Sequence, residues 1–106
     1  MTPADIIEIA AGVSGVTPND ITSHSRKATV VNARTAAVYA MHMAGWSSTE
    51  IGNALGCTHA SALHHIHRGT IVMQDRRFYP TLHDLVAEVV KRIRANFMTQ
   101  ENASDV

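Results

Sequence analysis

Apolar positions along this chain recur at intervals of three and four, and nowhere alternate as a half-buried strand requires. The clearest stripe is Leu82, Leu85, Val86, Val89, Val90, Ile93 and Phe97, which predicts a helix packed on one side. Residues 28–44 are apolar almost all round, through Val30, Val31, Ala33, Ala36, Ala37, Val38, Ala40, Met41 and Met43. Such a helix belongs in the middle of a bundle. Breakers separate the segments at Gly12, Gly15, Gly45, Gly56 and Tyr79-Pro80.

Helix starts are also marked. Thr2-Pro3-Ala4-Asp5 and Thr17-Pro18-Asn19-Asp20 each offer a capping hydroxyl, Pro at the first helical position and an acid near the free N–H groups. Ser47-Ser48-Thr49-Glu50 reads as a capping box, and Thr58 and Thr81 are further caps. The pattern predicts an all-α fold: a compact helical bundle of about six helices containing a helix-turn-helix. The helices fall at roughly 3–12, 18–22, 28–44, 48–55, 59–76 and 81–97. Residues 1–98 are expected to form one domain, and the polar run 99–106 a disordered tail.

A length of 106 residues suits one core, and an aromatic content of 5% leaves aliphatic helix packing to build it. Cys57 is the only cysteine, which excludes an internal disulfide and fits a reducing compartment. Neither a signal peptide nor a membrane-spanning run is apparent, so a soluble cytoplasmic protein is expected. Formal net charge is zero. The distribution is uneven, however: residues 1–21 carry −3, residues 22–77 carry +4 and residues 78–106 carry −1. Six of the seven histidines lie in the positive stretch, which favours an anionic partner.

That stretch contains SSTEIGNALGCTHASALHHIHR, residues 47–68, which reads as two short helices joined by a tight turn. Ile51 and Leu55 pack inward, Gly52 admits the second helix closely, and Gly56 supplies a left-handed residue to end the first. The second helix divides into two stripes. Ala62, Ile66, Gly69/Thr70 and Met73 are expected to face the core, with Ser61, His64, His65 and Arg68 facing outward. Imidazole, hydroxyl and guanidinium groups can bond to base edges or phosphates, so the outward stripe is a candidate DNA-reading surface.

Other chemistries have less to rest on. Cys57, His59, His64, His65 and His67 are ligand types, but no recognised metal-ligand spacing appears, and no metal or cofactor is expected. No nucleophile elbow, phosphate-binding loop or carboxylate pair points to an enzyme. A metal-responsive regulator and a protein-interaction module remain as alternatives.

Residues 13–68, and more loosely 4–97, resemble the C-terminal DNA-binding domain of the bacterial replication initiator DnaA. The likeness runs through GVTPNDITSHSRKATVVNARTAAVYA, SSTEIGNALG and THASALHHI. The resemblance implies major-groove readout by the second motif helix and a basic loop on the minor groove and backbone. Carried over by position, Arg26 and Lys27 serve the loop and Arg34 holds phosphate. Thr58, His59, Ala60, Ser61, His64, His65 and Arg68 make up the reading helix and its entry. Departures are equally specific. Gly56-Cys57-Thr58 is one residue shorter than the family's turn and lacks its guanine-reading arginine and its acid. Ala60 stands where a hydroxyl residue is usual, and Ala28 falls about where a minor-groove arginine does. No nucleotide-binding motif accompanies the domain.

The expected function is sequence-specific binding of double-stranded DNA by a small regulator of replication or transcription, with altered site preference. A solitary domain of this kind also fits a phage or other mobile element. A replication or transcription protein is a second possible partner, and the expected state is a monomer or weak homodimer. Four to six neutralised phosphates would give a log–log salt slope of about −4 to −5. Acidification from about pH 8 to about 6 is expected to tighten binding through protonated imidazoles.

Overall fold

In the computed structural model, which describes the backbone of residues 1–104 and the side chains of residues 1–97, the chain forms six helices. They are α1 (Pro3–Ser14), α2 (Pro18–Thr22), α3 (Ala28–Met43), α4 (Ser48–Leu55), α5 (His59–Gln74) and α6 (Pro80–Ser104). No strand occurs among the described residues.

Local chemistry sets the helix starts. Thr2, Thr17 and Ser47 each accept a hydrogen bond from the backbone N–H three residues on, and Asp5, Asp20 and Glu50 reach back to the capping N–H. Those bonds hold all three carboxyl groups below their ordinary proton affinity. Thr58 caps α5 by accepting from the Ser61 N–H.

Two punctuation marks differ from expectation. Gly12 lies inside α1, and the helix ends instead at Gly15, whose φ is 75° and whose N–H reaches Ala11 O at 2.9 Å. At the other end, α6 begins at Pro80, so Thr81 is within the helix rather than at its cap. Asp84, three residues on, is engaged by the Arg76 guanidinium at 2.9 and 2.8 Å. The last helix also continues past 97 to Ser104. The side chains of the expected tail, 99–106, lie outside the described residues, as do residues 105–106 altogether.

The nearly all-apolar α3 occupies the centre and packs against each of the other five helices. It buries Val30, Ala33, Ala36, Ala37, Val38, Ala40 and Met41, together with Thr35, while Met43 stays half-exposed. Around it close Ile6 and Ala10 of α1, Ile21 of α2, Ile51 of α4, Ala62 of α5 and Val86 and Val89 of α6. The α6 stripe packs as its spacing predicts, with Leu82, Val86, Val89 and Ile93 buried.

Helices α3 and α5 touch where Gly69 faces Tyr39. A Cβ at Gly69 would sit 2.8–2.9 Å from Tyr39 Cδ2, Cβ and Cγ. Those atoms lie at the base of the ring and cannot swing clear. Gly69→Ala is therefore expected to destabilise the fold by about 1–3 kcal/mol despite the gain in helix propensity. Thermal denaturation should show a lower midpoint; an unchanged or higher one would mean that the two helices are not this close.

Candidate nucleic-acid interface

Helix α4 ends on Gly56 with φ 67°, and the Cys57 N–H returns to Gly52 O at 2.9 Å. The returning chain runs so close that a Cβ on Gly52 would lie 2.9 Å from Cys57 O. Gly52 and Gly56 thus set the crossing of α4 and α5, as their sequence positions predict. Ser48 Oγ and His59 Nδ1 lie 2.8 Å apart, which tethers the His59 ring to the start of α4.

The faces of α5 are rotated from the sequence expectation. Ala62, His65, Gly69 and Val72 are buried, with Ile66, Thr70 and Met73 partly so. The exposed residues are His59, Ala60, Leu63, His64, His67, Ile71 and Gln74. Leu63 and His67 were absent from the candidate stripe. Their spacing from Ala60 and Ile71 is the signal that identifies them once Gly69 is placed against Tyr39.

His65, expected outward, is instead 7% exposed. The reason is a polar chain that ties α5 to α3. Arg68 Nη2 donates to Asn32 Oδ1 at 3.0 Å and Nη1 to Thr35 Oγ1 at 2.9 Å. Thr35 Oγ1 lies 2.9 Å from His65 Nδ1. A guanidinium can only donate, so the Thr35 oxygen accepts from Arg68, and its hydroxyl hydrogen is available to Nδ1. Burial, then the nearby His64, Arg34 and Arg68, push the His65 pKa down to about 4. His65 is therefore neutral at pH 6–8 and supplies none of the charge that acidification was expected to add. Arg68, also expected on the outer stripe, is half-buried in the same chain.

Arg34 is likewise bonded within the protein. Its Nε donates to Ile21 O at 2.8 Å, Nη1 to Ser25 O at 3.2 Å, and Nη2 to Ser23 O at 2.7 Å and Asp20 O at 3.4 Å. These bonds staple the 20–25 segment to α3. That segment leads directly to Arg26 and Lys27, which are exposed and whose side-chain cations make no hydrogen bond or ion pair among the described residues. Ser61 is half-buried on the side of α5 that faces this loop. Thr58 is exposed at the cap.

No three His, Cys, Asp or Glu side chains come together as a metal-ligand group among the described residues. Nor is any helix among them long and apolar enough to cross a membrane.

A glycine turn, a second helix with an uncovered histidine-bearing stripe and an adjacent stapled basic loop define a helix-turn-helix DNA-binding domain. The chain belongs to the bacterial DnaA protein helix-turn-helix family, which it matches over residues 3–68. No curated protein matches it. The family shows the mode of action to be DNA binding through the helix-turn-helix.

Proposed function

We propose that the protein recognises a particular duplex sequence by laying the first two turns of α5 in the major groove, with Arg26 and Lys27 on the flanking backbone. The observation that carries this reading is the uncovered stripe His59, Ala60, Leu63, His64 and His67 on a helix that contains no Asp or Glu. His64 and His67 supply hydrogen bonds to base edges, and Ala60 and Leu63 supply apolar contact. His59, steadied by Ser48, stands at the entrance with Thr58 and Ser61. Arg34 and Arg68 position this surface rather than read through it.

The turn Gly56-Cys57-Thr58 carries neither arginine nor acid. Each missing bidentate arginine–guanine contact removes roughly 1–3 kcal/mol of discrimination at its base pair. The preferred site therefore differs from the initiator's. With no catalytic constellation to use, the protein acts by occupancy in the nucleoid or cytoplasm, blocking or marking a promoter or replication region.

Selection from a random duplex pool, followed by competition binding, tests the assignment. His64→Ala is expected to narrow the gap between selected and random duplex by roughly tenfold, about 1.4 kcal/mol. Lys27→Ala should weaken both equally, as a backbone contact does. Identical behaviour of the two variants would remove His64 from the reading surface.

A second reading, a protein-interaction module, is favoured by Phe78 and Tyr79, which are 75% and 58% exposed at the α5–α6 corner. Titration with random duplex at low salt separates the two, because an interaction module with no DNA affinity gives no signal.

A further inference from the structure

A recess of about 280 Å³ separates the basic loop from the α4–α5 turn and the first turns of α5. Arg26, Arg34, His24 and His65 line it with Cys57 and Ser61, and no carboxylate does. Its walls thus favour an anion.

One side chain lining this space, the buried His65, has a ring nitrogen without a protein partner. With the Thr35 hydroxyl donating to Nδ1, the tautomer assigned here, the neutral His65 ring carries its hydrogen on Nε2. The Nε2–H makes no hydrogen bond among the described residues. Nor is it sealed away, since the sealed and unpartnered side-chain atom among those residues is Ser14 Oγ. The Ser61 hydroxyl, one turn earlier on the same side of α5, is equally unbonded. An unmet donor in an imidazole this buried costs free energy unless a ligand or water meets it.

We propose that this recess is a phosphate site, in which the His65 Nε2–H and Ser61 O–H donate to one phosphodiester oxygen while Arg26 closes from the loop side. Resting on the DNA-binding reading, the phosphate is that of the duplex backbone passing between α5 and the loop. The donor is neutral, so the contact adds a bond without adding a cation.

Two replacements separate its duties. In His65→Asn the side-chain oxygen can still accept from Thr35, but no donor reaches the recess. In His65→Gln the longer amide restores an N–H near the position of Nε2. For folded variants, His65→Asn is expected to weaken duplex binding about tenfold with the salt slope unchanged, and His65→Gln to recover most of the loss. Removal of a cationic contact would instead reduce the slope by about 0.9. Wild-type affinity in folded His65→Asn would overturn the proposal.

The wild-type protein gives an independent readout through the ¹⁵N resonance of His65 Nε2, titrated with inorganic phosphate and, separately, with duplex. Saturable shifts with both place the backbone phosphate in the recess. A shift with neither overturns the site. If no duplex binds but phosphate still shifts Nε2, the DNA reading fails and the recess stands as a site for free phosphate.

Discussion

Replacing Arg34 with Ala is expected to reduce affinity for all duplexes alike by about tenfold, and Arg34→Lys is expected not to restore it. The guanidinium spans Asp20, Ile21, Ser23 and Ser25 with donors fixed in one plane. An ammonium is a compact group on a flexible stem and cannot meet all four carbonyls at once. With the staple gone, the backbone leading to Arg26 and Lys27 loses its fixed path, and these cations are no longer held beside α5. Loss of charged hydrogen bonds in a part-solvated position should also cost about 2 kcal/mol of stability. Hydrogen exchange over residues 20–27 would show faster opening in both variants. Restoration of binding by Lys would mean that Arg34 acts as a simple cation on phosphate, and the staple account would fail.

Acid is expected to weaken the fold through His65 before the carboxylates respond. The imidazole has an ordinary pKa of about 6.5 in the unfolded chain and one near 4 in the fold. Its folded-state proton affinity is depressed, so the associated stability is full above about pH 6.5 and is lost as the pH falls toward 4. By pH 5 the loss should reach about 2 kcal/mol. Asp5, Asp20 and Glu50 are held below their ordinary values by their capping bonds, and Asp84 by Arg76 and then His83, so their losses come at lower pH. Urea denaturation at pH 7 and pH 5 should show the drop in the wild-type protein and a much smaller one in His65→Gln. An equal drop in both would place the titrating group elsewhere.

These two residues also mark where the sequence stops being legible. Caps at Thr2, Thr17, Ser47 and Thr58 could be read because each bond is made within three residues. The turn could be read because Gly52 and Gly56 each answer a local steric demand. The orientation of α5 could not be settled in this way, since its apolar residues fall on both faces: Ala62, Ile66 and Val72 inward, Leu63 and Ile71 outward. What decides the rotation is distant in the chain. Thr35 and His65 are separated by 30 residues and Asn32 and Arg68 by 36. A periodicity argument treats His65 and Arg68 as surface residues because it cannot see the hydroxyl and amide that meet them from α3. The Arg34 staple was invisible for the same reason, its carbonyl partners being supplied by a loop with no side-chain signature. Thus the scaffold and the family were visible in local pattern, while the division between reading and positioning residues required the tertiary contacts.

That division changes the electrostatic expectation. With Arg34 and Arg68 engaged internally, the free cations beside α5 are Arg26 and Lys27. Two neutralised phosphates, rather than four to six, give a log–log salt slope of about −2. Titration of the protein against a fluorescent duplex over a range of salt concentrations therefore tests the central claim most directly. Saturable binding that weakens along that slope is the predicted result. Absence of binding at low salt, or binding indifferent to salt, would contradict it.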